Sequence, residues 1–418
     1  MTGSAGPDAA QVEAVAHTVL LLGRLLLQNG ADTGRVMSAV ERVATAFGCE
    51  GHVLVTYESL LVTLVAGAHV RTRIGHRVPA MNVGLAAIEA VGRVVDDAAR
   101  GVLGLDGVRR ALEAVERRPP EYNHWLVAAA LGLTAASLSR LFGGDWPAFA
   151  ASWLAGFAGT WLRQALGRRG ANPVAVAFAV SCFGGVIGGA AVRLGVSTTP
   201  SLCLIAPGMI IVPGVPFING CLDMMRNLVT LGLSRLSFAA LVTVTIGMGL
   251  FAATLVTGAA IPVEEPARVI PVAEDAVFSA LAAAGYALLF DVRARIAWAC
   301  VLCGVVSHTT RTIGVHLGVD LVAGTLIGAL AAGFLAQGFA WHFRAPAVAF
   351  AFPGVVAMVP GSYAFRAVVG ALAIERGAAT PALAQATLAL GIDVVLMVAA
   401  IAVGVAAPAV LGGRARMG

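Results

Sequence analysis

Not one lysine occurs among the 418 residues, so the formal net charge of +5 rests on 28 arginines against 23 acidic residues. That absence removes two chemistries. A P-loop needs a lysine on its phosphates, and a Schiff base needs a lysine amine. Any transport by this chain would draw on an ion gradient, the solute's own gradient or a separate ATPase chain. Charge of both signs is scarce, at 12% of residues against 58% hydrophobic, with a mean hydropathy of +0.86. A soluble domain carries about 25% charge, so the composition is that of a polytopic membrane protein. Cysteine is sparse: Cys49, Cys182, Cys203, Cys221, Cys300 and Cys303. Cys300 and Cys303 are spaced as a CxxC but have no second pair, so they read as small residues of an apolar helix. Met1 to Ala14 has no basic start, and no signal peptide is expected. His52, His69 and His76 with Glu58 fit no metal-ligand spacing, and no catalytic triad is recognisable. No enzyme activity, metal, cofactor or nucleic-acid partner is expected.

Glycine, by contrast, is abundant at 50 residues, which suits close helix packing in lipid. Two apolar stretches are each broken by a doubled proline-glycine. The first holds Pro207-Gly208 and Pro213-Gly214; the second holds Pro353-Gly354 and Pro360-Gly361. A helix loses backbone hydrogen bonds at each proline, and lipid offers no substitute. Such breaks survive only where protein or a water-filled cavity surrounds them. Matched broken segments in two halves of a chain point to a carrier's substrate site. The prolines are six positions apart in the first motif and seven in the second, so the halves need not contribute equally.

Residues 1–120 carry 12 of the 28 arginines and no apolar run of about 18 residues. Val12 to Gln28 reads as a buried helix interrupted by Arg24. A second helix, capped by Asp32, repeats Val36, Val40, Val43 and Phe47. Strands follow at 52–57, 60–66 and 69–74, then helices at 82–100 and 106–117. The expectation is a small α+β domain over 1–120, ended by Arg117-Arg118-Pro119-Pro120. Ten membrane spans follow, five in 121–261 and five in 274–418, separated by an acidic, proline-rich linker at 262–273. With the first domain cytoplasmic, ten arginines (Arg344, Arg414 and Arg416 among them) fall at inner loops and six at outer ends, as the positive-inside rule requires. Both termini are then cytoplasmic. An odd number of spans per half makes a shared fold an inverted 5+5 repeat, which sets the two broken helices about one pseudo-two-fold axis.

The run Ala206 to Asn219, with Asp223, Arg226 and Ser234-Arg235-Leu236, resembles the threonine/serine exporter family. So do Gly30-Ala31-Asp32-Thr33-Gly34-Arg35-Val36, Val70 to Arg73, and Asn82. The stretch Phe352 to Gly361 looks like the small domain that two-component members carry as a separate subunit. The resemblance implies a secondary exporter of threonine, serine or a similar small polar metabolite in the bacterial inner membrane, driven by the proton-motive force through alternating access. Two-component relatives imply dicarboxylate export as the alternative. A channel, using the breaks as a constriction, is the other rival. The implied partners are the metabolite, protons and the lipid bilayer, and a homo-oligomer is compatible with the sequence.

A broken helix exposes N–H groups at one half-helix and carbonyls at the other, which suits the carboxylate and ammonium of an amino acid. The candidate substrate residues are therefore Pro207, Gly208, Pro213, Gly214, Pro353, Gly354, Pro360 and Gly361, with Asn219 and Ser362 beside them. Kinks that merely shape helix packing are the plainer reading. Ser362 also suits a helix cap. Asn219 and Asp223 are one turn apart, and Arg226 is placed to pair with Asp223, as a gate or as an interfacial ion pair. Asp393 lies within an apolar span, where a carboxylate costs at least ~2.5 kcal/mol and is expected to pair or function. Its expected partner is Arg366 or Arg311. His308, in the run Ser307 to Arg311, suits a proton relay. Asp320 is expected as a cap.

Overall fold

The computed structural model describes residues 7–76, 83–263, 269–343, 345 and 347–413. Asn82, the linker residues 264–268, Arg344, Arg414, Arg416 and the side chain of His76 lie outside them. The chain is mostly helical, with one small sheet near its N-terminus. It divides into two compact units. The first joins residues 1–121 with 222–235 and 290–293; the second holds 122–221, 236–289 and 294–418.

In the first unit, α1 (Ala9–Gln28) and α2 (Thr33–Ala46) precede strands β1 (Glu50–Val55), β2 (Ser59–Ala66) and β3 (His69–His76), then α3 (Leu85–Ala99) and α4 (Leu105–Glu116). The strands form an antiparallel meander in the order β1-β2-β3, with Val62 facing Val53 on one side and Arg73 on the other. Gly67, at φ +57°, makes the two-residue turn between β2 and β3 that a side-chain-bearing residue would resist. Leu60, Val62 and Leu64 alternate onto the buried face of β2, where α1 lies close enough for Gly23 to touch Leu60. α1 is long and apolar enough to cross a membrane. It is instead the core helix of this unit, packed on β2, β3, α2 and α4, with Arg24 reaching Glu116 at 2.5 Å. Each expected strand is present, shifted at its ends by up to two residues. Asp32 caps α2 by accepting the Arg35 N–H.

The remaining helices are α5 (His124–Leu141), α6 (Trp146–Arg168), α7 (Pro173–Arg193), α8 (Pro200–Met209), α9 (Gly214–Met225), α10 (Val229–Thr257), α11 (Val272–Leu289), α12 (Ala294–His316), α13 (Leu321–Phe343), α14 (Ala347–Val355), α15 (Gly361–Ala373) and α16 (Pro381–Gly413). Asn123, Asp145 and Asn172 cap α5, α6 and α7, the last two ahead of a proline in the first turn. Seven described helices are long and apolar enough to span a bilayer, α1 among them, or nine if each bent pair is one span. α5 and α6, expected as the first two spans, fall outside that count because His124, Arg140, Arg163 and Arg168 dilute their apolar stretches. In the second unit α5 packs on α6, α6 on α7 and α7 on α8; α11 packs on α12, α12 on α13 and α13 on α14. α5 also packs directly against α11.

Candidate functional site

Each proline-glycine pair does a different job. Pro207 and Pro353 sit inside α8 and α14, and the chain leaves helical geometry only after them. α8 and α9 then meet at a 60° bend, and the α14 and α15 segments at 45°. At both breaks the second proline is the centre of a three-residue turn: Gly214 N–H donates to Val212 O at 2.8 Å, and Gly361 N–H to Val359 O at 2.7 Å. Pro360, at φ −77° and ψ 55°, has the inverse γ-turn conformation. The proline carbonyl then opens the next helix, accepting from Phe217 N–H at 3.1 Å and from Ala364 N–H at 3.0 Å. First-turn N–H groups of α9 and α15 have no acceptor within their own helices.

The two breaks touch one another reciprocally. A Cβ on Gly214 would meet Val359 at 3.3 Å and Val356 at 3.5 Å; one on Gly361 would meet Val212 at 3.0 Å and Met209 at 3.3 Å. Val212 and Val359 each precede the second proline of their motif, so the contact pattern exchanges when the halves are exchanged. Gly208 in turn lies against Phe365, with 3.1 Å to an added Cβ. Thus Gly214 and Gly361 face the opposite break, Gly208 lies against Phe365 of α15, and all three are buried with Pro207. Gly354 points the other way, with its Cα against Cys303 and Gly304 of α12.

A proline deprives the carbonyl four residues earlier of its helical donor. For Pro353 that carbonyl is Ala349 O, and the Cys300 thiol donates to it at 3.1 Å. Ser307 donates to Gly354 O at 3.1 Å. For Pro207 the carbonyl is Cys203 O, which presses on the bare Cα of Gly188 in α7. Cys300 thus does more than fill space.

Beside Ser307 lies a buried polar cluster. His308 Nδ1 is 2.7 Å from Asp275 Oδ2, and Arg311 Nη2 is 2.5 Å from His308 Nε2. Thr312 and Thr309 donate to Asp275 at 2.6 and 3.5 Å. Asp275 and His308 are each 1% exposed. Asp275 escaped the sequence reading because an acidic first turn of a helix is ordinary. Its burial comes from packing against α12, which no feature of its own helix announces. Asp393 is half-buried on α16. Ser362 is buried, but no side chain caps α15, so the cap alternative drops out. Asp320 does cap α13, through the N–H groups of Val322 and Ala323.

In the first unit the expected Asp223–Arg226 pair is replaced by two others. Asp223 binds Arg235 at 2.7 Å, both buried, and Arg226 binds Asp32 at 2.5 Å. The reason is local: α9 ends at Met225, and Asn227 turns the chain at φ +61°, so Arg226 leaves the face on which Asp223 sits. The Arg226 guanidinium lies over Gly34, whose Cβ would come within 2.8 Å of it. Burial pushes the Asp32 carboxyl up, but the Arg226 and Arg35 charges and the hydrogen bonds from both outweigh it and hold it below the usual range. Asn219, on α9, is buried.

Two reciprocally packed breaks inside apolar helices are the arrangement a membrane-embedded carrier calls for. The threonine/serine exporter model (ThrE) matches residues 17–257, and a second model, "Threonine/Serine exporter, ThrE", matches residues 275–411. The chain belongs to the threonine/serine exporter family. A Mycobacterium tuberculosis "probable threonine/serine exporter" is 26% identical over 420 residues, covering 94% of this chain and 77% of its own length. The Escherichia coli "probable succinate transporter subunit YjjP" is 26% identical over 253 residues, covering 59% of this chain and 96% of its own length. No solved structure matches the chain.

Proposed function

We propose that the chain is a secondary active exporter of threonine, serine or a similar small polar metabolite, driven by the proton-motive force across the bacterial inner membrane. The observation that carries this reading is the reciprocal contact of the two breaks, in a family named for export. An amino acid between them would meet the N–H ends of α9 and α15 with its carboxylate and the carbonyl ends of α8 and α14 with its ammonium. Asn219 and Ser362 would add side-chain contacts. Asp223 and Arg226 would gate, and His308, Arg311, Arg366 and Asp393 would serve coupling.

The ten-span reading sets α1 aside and counts α5, α6 and each bent pair as spans. Five of them would fall in 121–261 and five in 274–418, as an inverted repeat. Its support is the helix packing, which recurs in the same order along both halves. The linker over 262–273 would then be external, and residues 1–120 cytoplasmic with both chain ends.

Proteoliposomes loaded with radiolabelled threonine and given an imposed pH gradient test the function. Gradient-stimulated efflux is expected; no movement of threonine, serine or any dicarboxylate would overturn it. The succinate name of the Escherichia coli relative favours a second reading, dicarboxylate export, which the same vesicles loaded with succinate decide.

A further inference from the structure

We propose that His308 is the proton-binding group of this carrier, and that a proton arriving at its Nε2 displaces Arg311 toward the second break. The inference rests on the proton-driven reading above. A guanidinium carries only donors, so the Arg311 Nη2 contact requires Nε2 to be an acceptor. The ring proton then sits on Nδ1 and is donated to the Asp275 carboxylate. In this state Asp275, neutral His308 and Arg311 together carry no net charge. Arg311 and an incoming proton compete for one lone pair.

Asp275 stays bound to the protonated ring through Nδ1, and Thr309 and Thr312 hold it in place. The displaced group is therefore Arg311. Its stem lies on glycines of α13, with 3.4 Å from its Cγ to a Cβ on Gly324 and 3.5 Å from its Cβ to one on Gly328, so the head can swing while the stem stays. α12 packs on α14 and on the Val356–Met358 turn of the second break, so a guanidinium freed on its face has that break beside it. Ser307, one position before His308, holds the Gly354 carbonyl on the α14 side of that break.

The ionisable surroundings of His308, taken element by element among the described residues, are few. From α11 come Asp275 and, beyond it, Glu274, which is paired with Arg140. Tyr286 lies further along α11, and α12 itself offers Arg311, the thiols of Cys300 and Cys303 and, at its two ends, Arg295 and His316. α13 from Leu321 to Trp341 and α14 offer none, and α15 offers Tyr363 and Arg366. α16 carries Asp393.

The test is 15N NMR of the histidine-labelled full chain in nanodiscs, with the His308→Gln spectrum subtracted to assign the ring. At neutral pH the wild type should show His308 with Nδ1 protonated and Nε2 bare. Arg311→Gln removes the competitor, and imidazolium should appear at a pH where the wild type shows none. In vesicles His308→Gln should keep threonine exchange and lose the response to an imposed pH gradient. A ring protonated at Nε2 in the wild type, unchanged protonation in Arg311→Gln, or full gradient response in His308→Gln would each overturn the proposal. The wild-type tautomer decides even if Arg311→Gln fails to fold, and His308→Asn supplies the subtraction if His308→Gln does not fold. The spectra need no transported solute, so a failed threonine assay strikes the export reading, while the tautomer and the Arg311 result are what strike this one.

Discussion

At the first break the Cys203 carbonyl, freed by Pro207, is closed off by the bare backbone of Gly188, whereas at the second the Ala349 and Gly354 carbonyls receive donors from Cys300 and Ser307. One is sealed by shape and the other by chemistry. The extra residue of the second motif also has a place: a tight 3₁₀ turn, Val356–Met358, spreads its bend and leaves 45° rather than 60°. Both then finish in the same proline-centred turn. Matching turns with unlike supports mean that the halves share a backbone solution and divide the polar work unequally. The donors Cys300 and Ser307 and the His308–Arg311 contact all belong to α12, so the second break is the one wired to titratable groups.

Substitutions at the supports should separate shape from chemistry. Gly188→Ala drives a methyl to 2.6 Å from the Cys203 carbonyl carbon, and backbone cannot yield as a side chain does. We expect the largest loss there, about 3 kcal/mol or more, read as lost folded yield and lowered Tm in detergent. Gly214→Leu and Gly361→Leu fill the meeting point from opposite halves; each should cut threonine efflux at least ~10-fold, equivalent to about 1.4 kcal/mol, at normal expression. A clear inequality between the two would show that one half dominates the substrate path. Cys300→Ala and Ser307→Ala strip donors from the second break alone, at about 1–3 kcal/mol each by thermal melting, and Cys300→Ser should recover part of the first loss. The smallest effect is expected in the first unit, at Asp32. Its carboxyl is held below its unfolded value, so its stabilisation is complete above about pH 4 and lost as pH falls through the lower folded value. Asp32→Asn should therefore flatten the fall of Tm below about pH 4 and leave the two breaks' transport ratio unchanged.

Much of this was legible along the chain. The prolines announced both breaks, alternation in Leu60 to Ala66 announced β2, and Asp32 announced a helix start. The first two expected spans, α5 and α6, were harder to judge, because basic and polar residues take both below the apolar content of the helices long and apolar enough to cross a membrane. Arg226 misled because i, i+3 spacing assumes a helix that continues, and α9 stops one residue short of it. Asp275 was hidden by its ordinary position in a first turn, and nothing within its own helix names His308 as its partner.

What the sequence determined by itself is what local physics can settle. Hydropathy marks the membrane class, a proline's missing N–H marks where a helix must yield, and periodicity marks which face is buried. Partnership was decided only by the tertiary structure. Arg226 meets Asp32 across 194 residues and His308 meets Asp275 across 33, and the two breaks find each other from opposite halves of the chain. Those choices depend on where helices end and how they cross, and a low-dielectric interior then pairs whatever charge arrives there.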